Sequence, residues 1–558
     1  MRCAITNHEF EIPEIGRAIC EALGAPLPSI RFEEGLRRQL VFRNLLNLFR
    51  RPCAKSGKSI ISIFPPNSKL TVYDKDLWWG DSWDALAYGR EFDFGRGFFE
   101  QFDDLVRVVP IFSLQNMKTE NADYCNSVEN VKQSYLAFVA YGGTQDAYFS
   151  YNTIHSKNQY YSLFTYDGEL NFYDMRTYRC YQTVYVEESN GCRDCAFCFQ
   201  MEECSHCLFC SNLRHKEYHL YNQPCSKEAF EEQMQALDLG SVAGFRRAQA
   251  EYARIRREAV HRATMVVNCE DSLGHHLNGS RNCVNAYEGI NAENIAECLS
   301  FNDARNAYRV YGFGGEPDTI YNCTSIVRSQ LCAFCMWAYY CFDCFYCINV
   351  HNCKDCFGCA GLRNKQYCIM NKQYSREAYF ELRERIVEHM KRVPFDDAHF
   401  RVPVAEWGQW FPPQSAFYPY NTSFAATYLP LAKTEALAAG FEWDDSLDAP
   451  VTASTQEGNS FPDRIEQWEE HHAKCAFRCE KSGKLFNVVP PVIQAFKQAN
   501  LALLPEHPIE YLRQRLSESR FRLMPRVSSK SGAPLLSVYS EAEAPLVFSN
   551  EEYREEFC

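Results

Sequence analysis

The chain has 558 residues, 46% of them hydrophobic and 23% charged, with 28 cysteines and a formal net charge of −13. That length provides for several domains and an ample core, and the cysteines are too dilute for a small disulfide scaffold. The acidic balance excludes a protein that coats nucleic acid with its whole surface, while leaving room for local basic patches.

The N-terminus, MRCAITNHEFEIPE, carries acids and lacks an apolar h-region, so no signal peptide is expected. No uninterrupted apolar run is long enough to span a bilayer. A cytoplasmic protein with free thiols and no membrane partner is the expectation.

Residues 1–80 and 471–558 read as two copies of one module. Cys3 to Phe10 matches Cys479 to Phe486, Leu36, Arg37 and Leu40 match Leu512, Arg513 and Leu516, and KSGKSIISIF from Lys55 matches KSGAPLLSVY from Lys530. Each copy predicts a hairpin, a helix (33–50 and 508–522), a second hairpin and a strand, with Gly57 and Gly532 at tight turns. Residues 81–114 form an aromatic linker, expected to cap the repeats that follow.

A first Cys-rich block is placed at 115–225, a helical bridge at 226–263, and a second Cys-rich block at 264–375. Ser226 and Ser375 are the expected N-caps of helices at 227–237 and 376–392, and a further helix is expected at 241–262. Within the second block Cys341, Cys344 and Cys347 recur twelve residues later as Cys353, Cys356 and Cys359. The first block has the same passage 149 residues earlier, as Cys192, Cys195 and Cys198, then Cys204, Cys207 and Cys210. Looser echoes lie at Cys125 to Ser127, Cys298 to Ser300 and Cys323 to Ser325. In neighbouring repeats the slots hold Ser329, Ala338, Thr183, Val186 and Ser189. A metal ligand cannot drift to Thr, Val or Ala, whereas a narrow core slot accepts any small side chain. A buried hydroxyl in such a slot is expected to lack a partner. Two other readings stay open: disulfide ladders, and zinc or an iron–sulfur cluster on these twelve cysteines, although neither copy has the x3-Cys-Pro continuation of a ferredoxin. The expected fold is mainly β with helices: two tandem short-coil parallel β-solenoid blocks of about twelve residues per coil, separated by helices and flanked by the end modules.

Residues 393–470 read as an extended wrapping segment and an acidic linker. Beyond them His472, Cys475 and Cys479 would share one face if helical, a candidate metal set lacking a fourth ligand.

RNLLNLFRRPCAKSGKSIIS from Arg43, WWGDSWDALAYGREFDFGRGFFEQF from Trp78, GLRNKQYCIMNKQYSREAY from Gly361 and FPPQSAFYPYNTSFAATYLPLAKTEAL from Phe411 together carry a resemblance. In these motifs the chain resembles an uncharacterised bacterial family of Cys-rich proteins with zinc-ribbon-like modules at both ends and Cys-Asn-rich repeats between. The resemblance implies paired Cys-x2-Cys knuckles, and here the sequence departs from it. The slots hold Ser528, Ser531, Ser549 and Glu552 at one end and Cys53, Ser56, Asp74 and Leu77 at the other, while Cys3 is followed by Thr6 and Cys479 by Ser482. Serine is not a practical zinc ligand, so zinc is assigned to neither module and no cofactor is predicted.

No P-loop, dinucleotide fingerprint, GxSxG elbow or HExxH occurs, and the Gly clusters at 142–143 and 312–315 suit turns better than a phosphate cradle. No catalytic residue stands out. The expected function is a non-enzymatic scaffold presenting an elongated surface to a protein or polymer partner. One alternative is a nucleic-acid-associated protein acting through basic end modules, with Arg37, Arg38, Arg50 and Arg51 as contacts. The other is a metal- or cluster-binding redox protein using the cysteine repeats.

Overall fold

A computed structural model describes residues 1–447, 460–520 and 522–558, except 282, 284, 285, 288, 291–295, 298–300, 303–306, 310–323 and 328. Cys298 to Ser300, Cys323, the Gly cluster at 312–315 and part of the acidic linker lie outside the described residues. The protein is mixed α/β, with twelve α-helices among the described residues, and none is long and apolar enough to cross a membrane. It divides into two compact units. The first comprises Met1–Ser113, Thr264–Asp444 and Arg520–Met524; the second comprises Leu114–Ala263, Asp445–Ser519 and Pro525–Cys558.

The second unit is built on six parallel strands: β1 (Gln145–Ile154), β2 (Lys157–Tyr160), β3 (Leu163–Tyr166), β4 (Glu169–Phe172), β5 (Met175–Tyr178) and β6 (Tyr181–Asn190). β1 pairs with β2 and β3; β2 leads through β4 to β6, and β3 leads through β5 to β6. The path returns to its start, so these strands form a closed barrel. Partners are twelve residues apart, as in Tyr148↔Tyr160 and Phe172↔Val184. Further parallel strands continue the sheet on both sides, and Gln223–Pro224 ends it as an exposed antiparallel strand. A proline there blocks further pairing.

This closure overturns the expected pair of short-coil β-solenoid blocks. In stacked coils each face has its own sheet, and no hydrogen-bond path runs round to its origin. Here β1 and β6 each run ten residues and bend at left-handed residues, Phe149 and Asn152 in β1, Tyr185 and Glu188 in β6. Each therefore offers its two halves to different neighbours and joins what would otherwise be separate sheets. The left-handed corners recur every third residue along β1–β6 and point every third side chain inward.

In the first unit the described parallel strands form separate sheets. Thr324–Val327, Met336–Tyr339 and Ile348–His351 make one; Phe342–Phe345, Lys354–Phe357 and Gln366–Ile369 belong to another. The twelve-residue register persists, with Cys344 opposite Cys356 and Cys356 opposite Cys368. Nine cysteines from Cys332 to Cys368 fill one buried core with Ala338, Val350 and Leu362. The aromatic segment packs on the second Cys-rich stretch, with Phe98 against Tyr346 and Phe357, and Trp78, just before it, packs against His351.

Each end module carries two helices before its second hairpin where one was expected: Glu14–Ala22 and Phe32–Leu40 in the first copy, Pro490–Ala499 and Pro508–Ser517 in the second. The expected 33–50 helix stops at Leu40 because Asn44 closes a local turn, its Oδ1 accepting from Asn47 N–H at 2.8 Å while its Nδ2 donates to Asn47 O. Such side-chain bonds compete with helix continuation.

Candidate functional site

The cysteines proposed as metal ligands (192, 195, 198, 204, 207, 210, 341, 344, 347, 353, 356 and 359) are all buried, and all are free thiols. Apart from Cys192, each donates to two backbone carbonyls, two residues back and nine residues on. Among the described residues no three of these sulfurs come within 4.8 Å of one another. The neighbouring thiols, Cys332 first, and then burial hold Cys344 well above the ordinary thiol range.

His472, Cys475 and Cys479 do not share a helix. A short 3₁₀ turn ends at Lys474 and a strand begins at Phe477. His472 Nδ1 accepts from Glu469 N–H at 2.8 Å, and Cys475 donates to His471 O. Cys479 instead opens one of four matching turns, with Cys3, Cys53 and Ser528. In each, the first N–H donates five residues ahead at 2.8–2.9 Å, and the fourth residue on returns a bond at 2.9 Å. That fourth residue is left-handed: Asn7, Gly57, Gly483 or Gly532. In the Ser528 turn the slot of a knuckle ligand holds Glu552, which accepts from Ser528 Oγ at 2.5 Å and Ser549 N–H at 2.8 Å. The hydroxyls of Ser528 and Ser531 and the Ser549 amide hold its carboxyl down at about 2.

Of the four arginines proposed for nucleic acid, Arg38 is buried against Asp397 and Phe400, and Arg51 is buried and donates to Pro65 O. Arg37 is half-buried and pairs with Glu34 at 3.0 Å, leaving Arg50 as the exposed member of the set.

A cleft of about 540 Å³ lies elsewhere, in the second unit. The parallel register lines up Phe172, Val184 and Ala196 along its floor. Left-handed corners place Gln182, Asp194 and His206 on successive rungs beside them. The opposite wall is the helix Lys227–Ala236, started by Ser226, whose Oγ accepts from Ala229 N–H; it contributes Phe230, Met234 and Gln235. Asn500, the left-handed end of Pro490–Ala499, and Leu501 complete the rim.

His206 stacks on Tyr218, with centroids 4.5 Å apart, and meets Phe230 edge-on. Its Nε2 lies 3.7 Å from Asp194 Oδ2 and its Nδ1 lies 3.7 Å from Glu217 Oε1. Arg464 is taken by Asp238, to which it donates twice at 2.8 and 3.0 Å. Arg464 and Ser241 hold the Asp238 carboxyl below its ordinary range.

Sequence reasoning missed this cleft. Its one legible trace is that Asp194 and His206 stand twelve residues apart, in the rhythm of the adjacent cysteines. A scan against protein-family models finds no match, and no curated protein matches the sequence.

Proposed function

We propose that this chain is a non-enzymatic binding protein that holds a small organic ligand in the cleft of its second unit. The observation that carries this reading is the contrast between the cleft and its surroundings. A cavity of about 540 Å³ falls in the size range of ligand pockets, with an apolar floor and few polar groups at the side. The nucleophile nearest to it is out of action: Cys195 is 1% exposed and donates its thiol to the carbonyls of Arg193 and Cys204. The carboxylates beside His206 stand 3.7 Å from its ring nitrogens, too far to hydrogen-bond and orient it.

The test is a thermal-shift screen of small acids, amines and neutral aromatics against the full chain, since a ligand that binds only the folded state raises its stability. Hits should lose their shift in Gln235→Trp, which fills the mouth from an exposed helical position, and should be recovered chemically unchanged. Shifts that persist in that variant place the ligand elsewhere. Conversion of a hit would make the protein an enzyme.

A further inference from the structure

Resting on the cleft reading above, we infer that the ligand is an amine: an apolar body on Phe172, Val184, Phe230 and Met234, with a protonated nitrogen at Asp194. The lining supplies the argument. The carboxylates lining the cleft are Asp194 and Asp238; Arg464 is matched to Asp238, and Glu217 stands behind the lining at His206. Asp194 is left with His206 as its ion-pair partner, at 3.7 Å and without a hydrogen bond. Its side chain keeps 26% exposure, so the carboxylate is partly desolvated yet reachable from the cleft. A cationic nitrogen entering there would exchange water for a charge-assisted hydrogen bond, whereas a carboxylate ligand would meet like charge from both Asp194 and Glu217.

The apolar floor fixes the other half of the ligand. Phe172 and Ala196 are buried on the rungs either side of Val184, and Phe230 and Met234 face them from one side of the helix. Small polyamines would leave this surface wet, so an aryl- or alkylamine is the better fit. Asp194 sits at φ 51°, a conformation that asparagine tolerates best among neutral replacements, so Asp194→Asn removes the charge without straining the corner.

Calorimetric titration of the full chain with 4-phenylbutylamine, 4-phenylbutan-1-ol and 4-phenylbutyrate at pH 7.5 tests the assignment. The amine should bind about tenfold more tightly than the alcohol, the difference of one charge-assisted hydrogen bond, and the acid weakest. Asp194→Asn should bring the amine to the level of the alcohol, and Gln235→Trp should weaken all three. Both variants are first checked for wild-type melting; if Asp194→Asn melts early, Asp194→Glu, which keeps the charge, should retain the amine preference. Equal or tighter binding of the alcohol or acid, still lost in Gln235→Trp, overturns the amine assignment and leaves the cleft standing. Binding of none of the three, or binding indifferent to Gln235→Trp, overturns both.

Discussion

The two cysteine-bearing interiors use the same slots with different chemistry. In the barrel of the second unit the inward positions are polar: Ser150, Ser156, Ser162, Asn171 and Asp174, all fully buried. In the first unit the inward slots from Cys332 to Cys368 are mostly thiols. Yet the bonds are alike. Ser150 donates to Tyr148 O at 2.9 Å and Gln159 O at 3.2 Å; Cys344 donates to Phe342 O at 3.5 Å and Cys353 O at 3.7 Å. Two residues back and nine on, the backbone presents a pair of carbonyls to whatever small donor fills the slot. A hydroxyl is therefore not stranded there, contrary to the expectation from sequence. Cysteine and serine interchange because each satisfies the same acceptors while keeping the slot narrow.

The sharpest difference between the units lies at Glu187 and the residue 149 positions later, Met336. Glu187 is 2% exposed, forms an ion pair with Arg256, whose Nε lies 2.9 Å away, and pairs closely with Arg515. This cluster ties the helices Val242–Glu258 and Pro508–Ser517 to β6. Met336 is fully buried and apolar. Glu187→Ala should therefore cost about 3–5 kcal/mol in urea unfolding, because it takes a buried counter-charge from Arg256 and leaves buried Arg515 with Glu518 alone. Replacing Glu187 and Arg515 together by Met should recover most of that loss. A single-variant loss below about 1 kcal/mol would show that the arginines rehydrate freely and that the cluster does not hold the helices.

The polar interior also makes a pH-dependent claim that the thiol interior does not. Asp174 is buried without a cation; burial pushes its carboxyl up to about 7, against the pull of donors from Thr183, Val186 N–H and Asn171. The folded state thus holds this proton more tightly than the unfolded chain, whose aspartate titrates near 4. Its stabilising contribution is complete below about pH 4, fades as pH rises, and is gone above about pH 7. Paired surface carboxylates change in the opposite sense, so the readout is the difference in unfolding free energy between the wild type and Asp174→Asn. Relative to the variant, the wild type should lose on the order of a few kcal/mol between pH 4 and 7. A flat difference, or one of opposite sign, would mean that the carboxylate is ionised in the barrel.

Much of this was readable in advance, and the rest was hidden for definable reasons. The twelve-residue register is visible because small slots recur strictly around Cys192 and Cys341. The helices starting at Lys227 and Arg376 are announced by Ser226 and Ser375, which do cap them. Ring closure was not visible. It depends on β1 and β6 running on for ten residues through corners at Phe149 and Tyr185, where, as at Tyr161 and Tyr173, the sequence offers no glycine or asparagine. Each such corner costs roughly 1–2 kcal/mol for an L-residue. The corners also bring these rings face to face, Tyr161 on Tyr173 at 5.0 Å for instance, and stacking returns about 0.5–1.5 kcal/mol per pair beyond burial. The cleft was hidden by distance along the chain, since its walls come from near residues 172–206, 230 and 500.

The smallest expected effect tests the shared slot most directly. At Cys344, fully buried between Cys332 and Cys356, three substitutions separate room from bonding. Leucine adds methylenes where the core is closed and should cost about 1–3 kcal/mol. Alanine leaves a small cavity and should cost about 1 kcal/mol. Serine inherits both carbonyls, so it should fall within about 1 kcal/mol of the wild type and no lower than alanine, the bond offsetting hydroxyl desolvation. Ser150 shows what it would do: a shorter reach to the same pair of acceptors. The measurement is a set of melting curves under reducing conditions without added metal. Should serine prove worse than alanine by more than about 1 kcal/mol, the carbonyls are not free to bend toward an oxygen. The two interiors would then be tuned separately to sulfur and to oxygen, and the resemblance between their bonds would carry no energetic meaning.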